Sequence, residues 1–427
     1  MALNNRYLLA IVAMPLVSGP LVSGAAHAQS ATPATPVMKS VADRQRPEYL
    51  PIGGRLGSFF LYPTLTVTGA ATDNARASDA DKRDDAFVVA NGEAKLVSNW
   101  SVHALNAQVY ASQSAHTLST ENATQYGAQL DGRYDVSRVA NVGLVLRADH
   151  LVEDRSSFTS PAGAREPVRY NRARATLATE QDFGRLVVQS VLSYTKVDYD
   201  DAVTLDGVPI PQQFRDASIL GASGSIAYAV SPGYSVVVSG TADRRRYVIG
   251  ADDPRQPGNF DRNSSGGRIE AGVRLTLTDL ITGEIRAGYL VRDYADPRFR
   301  DTSGASFGAN VLWNVTPLTS IQLYADRRID EASSIDVAGN RVTEVTLTVD
   351  HELLRNLIVT AYGRYAAIAP LGDFASSSER GARLSARYFV NRQLSLRAAY
   401  ARGDRSSPDP VRELHENRVS AGVQLSF

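Results

Sequence analysis

The stretch Asn417-Arg418-Val419-Ser420-Ala421-Gly422-Val423-Gln424-Leu425-Ser426-Phe427 decides how the rest of the sequence is read. Val419, Ala421, Val423, Leu425 and Phe427 alternate with Arg418, Ser420, Gly422, Gln424 and Ser426. Successive side chains of a strand point to opposite faces, so this period of two makes one apolar and one polar face. The question is whether the apolar face meets a protein core or lipid.

The same alternation fills the chain upstream. Tyr126, Ala128, Leu130, Gly132 and Tyr134 stand against Gln125, Gln129, Asp131 and Arg133, and Ile269, Ala271, Val273, Leu275 and Leu277 against Arg268, Glu270, Arg274 and Thr276. Each run is about ten residues, the length a tilted strand needs to cross a bilayer. About 18 segments start near 59, 86, 101, 124, 140, 169, 185, 215, 234, 266, 281, 304, 319, 342, 357, 380, 394 and 417. Their connections alternate between hairpin turns such as Asp182-Phe183-Gly184 and Ser231-Pro232-Gly233 and long polar loops such as 70–85, 152–168 and 246–265. Short turns at one end, long loops at the other and an even strand number predict an all-β transmembrane antiparallel barrel of the outer-membrane type. A soluble sandwich would carry loops of similar length at both ends. Aromatics near strand ends, among them Tyr62, Trp100, Tyr134, Tyr170, Trp313, Tyr388 and Phe427, fit the interfacial girdle of such a barrel.

The other end of the sequence supports export. Arg6, an apolar run from Tyr7 to about Val17 and Ala26-His27-Ala28 predict a signal peptide, residues 1–28. Residues 29–57 are rich in Pro, Ala and Gly, have no period and read as a periplasmic leader, followed by the barrel, 58–427. Cysteine is absent, which excludes a disulfide framework and thiolate chemistry. Forty-five basic and 45 acidic residues balance, so nucleic acid is not an expected partner. The mean hydropathy of −0.20 suits strands that expose every second residue to lipid.

No enzyme chemistry is organised in the sequence. His103, His116, His150, His351 and His415 show no metal-ligand spacing, and Asp149 and His150 fall on opposite faces of one strand. The acidic stretch 73–85 reads as a solvated charge cluster. No cofactor, metal or catalytic residue is expected. The organised charge lies on the polar faces. Beyond Asp350 the inward positions carry Arg364, Arg383, Arg387, Arg397 and Arg418 with no acid among them, which predicts a basic wall, either neutralised by outer-loop carboxylates or a track for anionic solute. Phe427, aromatic and on the lipid side of the closing strand, is read as the signal for the barrel-assembly machinery.

Arg46-Pro47-Glu48-Tyr49, Pro51, Gly53, Arg55-Leu56-Gly57, Phe59, Pro63 and Asp73-Asn74 resemble the opening segment of the putative β-barrel porin 2 family. The resemblance implies a Gram-negative outer-membrane location and an association with exopolysaccharide or capsule export, as a conduit or structural accessory. It supplies no catalytic residues. An anion-preferring or general diffusion porin is the alternative, and an outer-membrane hydrolase a second one. The partners expected are outer-membrane lipid and lipopolysaccharide, the assembly machinery and, on the export reading, export proteins or an anionic polysaccharide.

Overall fold

The computed structural model describes residues 39–250, 252–253, 260–277, 280–332, 337–372 and 374–427. The signal peptide and the first ten residues of the leader, 29–38, lie outside the described residues. Eighteen long strands follow one another: β1 (Phe59–Thr72), β2 (Asp85–Ser98), β3 (Ala104–His116), β4 (Ala123–Asp135), β5 (Ala140–Val152) and β6 (Arg169–Asp182). Next come β7 (Leu186–Tyr199), β8 (Ala217–Ser231), β9 (Tyr234–Tyr247), β10 (Ser264–Leu277), β11 (Ile281–Tyr294) and β12 (Thr302–Thr316). The last are β13 (Thr319–Asp330), β14 (Asn340–Leu354), β15 (Leu357–Pro370), β16 (Ser377–Phe389), β17 (Leu394–Ser406) and β18 (Leu414–Ser426).

Each strand pairs antiparallel with its neighbours in sequence, and β18 returns to β1 from Arg418↔Thr72 to Ser426↔Thr64. The sheet is a closed ring, which is how a sheet satisfies its backbone in lipid. The closing strand contains the alternating stretch 418–426. Its apolar side chains, Val419 and Val423 among them, are exposed on the outer face, as are Leu65 and Val67 of β1. Every start falls within three residues of its expected position, the largest offsets being Ala104, Ser377 and Leu414. The strands are 12–15 residues long, more than the ten expected. They continue past the apolar belt, where outward residues become polar, as at Arg244, Arg246 and Arg402.

Turn chemistry sets the periplasmic end. Gly233 takes φ 82° in the β8–β9 turn, a conformation that strains any residue with a Cβ. His103 adopts φ 64° before β3. Its N–H donates to Asp135 Oδ2 at 2.9 Å and its Nδ1 accepts from the Asp135 N–H at 3.0 Å, which holds the conformation. Exposed outward rings form two belts: Trp100, Tyr134, Tyr228, Tyr234, Trp313, Tyr388 and Phe427 at the turn end, and Tyr126, Tyr194, Tyr289, Tyr365 and Tyr400 nearer the loops. Two rings assigned to the girdle from sequence face inward. Tyr62 lies under Gly53, where an added Cβ would stand 2.6 Å from the ring, and Tyr170 stacks on Tyr199 at 5.1 Å. Both stand at strand ends, but on the lumen parity of the alternation.

Phe427 is half-exposed on the outer face, and its N–H donates to the Pro63 carbonyl at 3.0 Å. Phe427→Asp places a charge at the lipid boundary of the closing strand. The expected result is loss of most heat-modifiable protein from the outer-membrane fraction. Wild-type yield and an unchanged heat shift would remove that role.

Candidate functional site

The inward faces of β10 to β17 carry an unbroken series of ion pairs. Arg274 meets Glu284 at 2.8 Å, Glu284 also meets Arg286, and Arg286 reaches Glu270 at 3.3 Å. Arg268 bridges Glu270 and Asp326, and Arg328 bridges Asp326 and Glu344. Arg364 joins Glu344 to Glu379, both at 2.8 Å, and Glu379 ends the series on Arg405 at 2.8 Å. Inward positions on neighbouring and more distant strands thus neutralise each other along the wall. On the far side Asp149, with no exposed side-chain surface, holds Arg147, Arg172 and the Tyr110 hydroxyl.

The basic wall divides in two. Arg364 sits between two carboxylates and Arg418 on Glu416 at 2.7 Å, so the expectation of a wall without acids is corrected for both. Glu379 and Glu416 stand at strand starts, just upstream of the expected limits at 380 and 417, where both faces are polar and the alternation gives no warning. The other three lie on β16 and β17. Arg387 and Arg397 lie directly opposite each other across β16 and β17, and Arg383 is four residues further along β16. Among the described residues none of the three meets a carboxylate. Arg387 rests 4.5 Å over the Phe389 ring and Arg397 donates to the Gln424 amide oxygen. Like charges placed directly opposite on a sheet repel. An arrangement of this kind persists where water or an anion supplies the missing negative partner.

The loop between β5 and β6 narrows the lumen at the outer end. Its base is held by the buried Glu153–Arg215 pair at 2.7 Å, with the Arg215 guanidinium 3.9 Å over the Tyr199 ring. Desolvation opposes the Arg215 charge, but Tyr199 and Glu153 beside it outweigh that and hold the guanidinium above its ordinary value. The loop then crosses to strands six to nine positions round the ring of 18 from β5. There Phe158 packs on Val342 and Ile368, Arg405 donates to the Ser156 carbonyl, and Arg412 donates to the Phe158 carbonyl at 3.1 Å. The readable signal is Phe158, a lone large apolar residue among the hydroxyls of Ser156, Ser157, Thr159 and Ser160.

The described part of the leader occupies the other mouth. Val41 is fully buried and its N–H donates to Ser320 Oγ at 2.8 Å. Arg44 donates to Asn314 Oδ1 at 2.8 Å, Arg46 pairs with Glu352 at 2.9 Å, and Tyr49 stacks on Phe389 at 5.5 Å. Gly54–Leu56 then pair antiparallel with Phe59–Leu61, so sheet pairing begins inside the segment read as leader. Phe389 is shared between Tyr49 and Arg387, which sets the leader at the inner end of the arginine track. A chain shortened by residues 29–50 keeps that hairpin. It is expected to insert with a normal heat shift and to pass a larger single-channel current, and failure to insert would show that the leader is needed for the fold.

The histidines stay apart. His116 bonds Asp85, His150 bonds Asn171 on the outer face, His351 bonds Thr319 and His415 bonds Asp79. Among the described residues there is no group of three potential metal ligands. Acids of the 73–85 cluster are paired, Asp81 with Arg76 and Arg83 and Asp73 with Lys82 inside it, and Asp79 with His415 of β18. Burial pushes the Asp79 carboxyl up, but the His415 bonds outweigh it and hold the group below its ordinary value.

A family model, described as Putative beta-barrel porin 2, matches residues 46–427. The chain belongs to that family. The family is one of porins, and with the closed barrel it makes this protein an outer-membrane, porin-like barrel. No curated protein matches the sequence. Among solved structures the family member is similar to OccAB3 of Acinetobacter baumannii, with 11% identity over 87% of this chain and 100% of the other and a TM-score of 0.46. It is also similar to a BenF-like porin from Pseudomonas fluorescens Pf-5, with 11% identity, 86% and 99% coverage and a TM-score of 0.44. OpdL of Pseudomonas aeruginosa gives 10% identity, 87% and 100% coverage and a TM-score of 0.44.

Proposed function

We propose that this family member is a diffusion channel of the outer membrane that favours small anionic solutes, those carrying carboxylate or phosphate groups. The observation that carries the reading is the opposition of Arg387 and Arg397 without a carboxylate, with Arg383 further along the same wall. Most other charge on this wall is neutralised in pairs, so these three arginines supply a local positive field there. A narrow conduit with low-dielectric walls concentrates counter-ions at such a place. The loop carrying Phe158 sets an upper size, and the leader lies where solute would leave. No catalytic residues are assigned.

Export of an acidic exopolysaccharide is the second reading. It is supported by the seat of residues 39–49 at the periplasmic mouth, where an export partner could displace them. A polymer conduit also needs the Phe158 loop to lift, whereas small anions need neither movement. Swelling of liposomes holding the purified protein tests the choice. Faster swelling in isosmotic carboxylate solute than in amine solute of equal size supports the channel reading, and equal rates count against it.

A further inference from the structure

β12 and β13 pair only along their periplasmic halves. The ladder runs from Thr316↔Thr319 to Gly308↔Asp326 and stops. Above it Thr302–Phe307 keep β11 as strand partner and Arg327–Asp330 keep β14, so the wall forks toward the outer leaflet. The upper β13–β14 hairpin is drawn toward the lumen. Arg245 of β9 donates to the Ile329 carbonyl at 3.2 Å, Arg262 donates to the Ala332 carbonyl at 3.0 Å, and Val342 packs on Phe158. Those contacts serve the freed edge of β13 from inside. Among the described residues the facing edge of β12, Thr302–Phe307, has no second strand. An open edge at a lipid boundary needs a polar partner.

Two cations stand on the lipid side of this fork. The Arg327 guanidinium lies 5.0 Å over the Phe307 ring, across the gap, and its Nε donates to Thr343 Oγ1 at 3.0 Å. Arg341, exposed, is on the adjoining strand opposite Ile329, two residues further out on the same face. Among the described residues neither meets a carboxylate. Directly below them the outward face turns apolar with Leu323, Val345 and Leu347, all exposed.

We propose that the fork is a binding site for a phosphorylated, multiply acylated glycolipid of the outer leaflet. Its phosphate sits on Arg327 and Arg341, where charge-assisted bonds to guanidinium are strong and directional. Its sugar hydroxyls meet the open edge of β12, and its acyl chains run down the Leu323, Val345 and Leu347 face. The site faces away from the lumen and is continuous with the apolar belt, which selects a lipid phosphate over a soluble one. The site is independent of what the channel carries.

The test is a native mass-spectrometry titration of the full chain, purified from the outer membrane and stripped of lipid, with diphosphoryl lipid A. One lipid is expected to stay bound to the wild type. Arg341→Gln, at an exposed position with no role in the fold, is expected to weaken it at least tenfold, and Arg327→Gln with Arg341→Gln further. Arg380→Gln, on the outward face of β16, is expected to leave it unchanged. Equal affinity in wild type and Arg341→Gln overturns the site. Equal binding of phosphatidylglycerol overturns the glycolipid assignment, and displacement by inorganic phosphate overturns the lipid assignment.

Discussion

In Glu379→Ala the barrel is expected to lose stability and the loop crossing the lumen to come loose. The Glu379 side chain is 3% exposed and touches Arg364 at 2% and Arg405 at 6%. Removing one partner of a buried pair leaves charge uncompensated and costs about 3–5 kcal/mol. Arg364 retains Glu344, which moderates the loss, but Arg405 has no second carboxylate among the described residues. Arg405 also donates to the Ser156 carbonyl, so its reorientation releases the loop at its far anchor. Two readouts follow: a lower urea midpoint for loss of the heat-modifiable band, and a larger, noisier single-channel current. Phe158→Ala should reproduce the current change with a smaller change in midpoint, because it removes the packing on Val342 and Ile368 without stranding a charge. A lower midpoint with unaltered current in both variants would mean that the loop does not limit the conduit.

The triple substitution Arg383→Gln, Arg387→Gln and Arg397→Gln is expected to abolish most of the anion preference while leaving the barrel as stable or slightly more so. The stability outcome follows from the register. Arg387 and Arg397 are opposed across two strands, and replacing both relieves like-charge repulsion rather than breaking a pair. The selectivity outcome follows from their lack of carboxylates, since every charge removed belongs to the net field. Screening gives a further check. The Debye length grows from about 10 Å at 0.1 M salt to about 30 Å at 0.01 M, so the difference between wild type and variant should widen as salt is lowered. Arg364→Gln, taken from the neutralised part of the wall, should shift selectivity far less and cost stability. The reverse ranking would mean that the paired belt, not the three arginines, sets the field.

How much of this was legible depends on what each element shows to lipid. A strand that crosses the bilayer must alternate, so β18 and β10 could be read directly, and the β8–β9 turn followed from Gly233. Past the apolar belt both faces are polar, and that is where Glu379 and Glu416 escaped notice and the basic wall was drawn too wide. Tyr62 and Tyr170 were misplaced because proximity to a strand end does not specify a face, whereas parity does. The Phe158 loop and the leader have no period, since their positions are fixed by contacts with distant strands: Phe158 with Val342, Val41 with Ser320. The fork between β12 and β13 arises from the inward lean of a hairpin, and Arg327 and Arg341 give no local hint of it. The inward placement of Arg383, Arg387 and Arg397 was legible because their strands alternate cleanly through the belt.

The most direct measurement is the reversal potential of the full-length protein in a planar bilayer under a tenfold gradient of potassium chloride. Potassium and chloride have nearly equal mobility in water, so an uncharged aqueous conduit gives a potential close to zero. A potential of the sign for chloride permeation, moving toward zero in the Arg383, Arg387 and Arg397 triple variant, is the expected result. A potential of the opposite sign, or one near zero in the wild type, would contradict an anion-preferring channel.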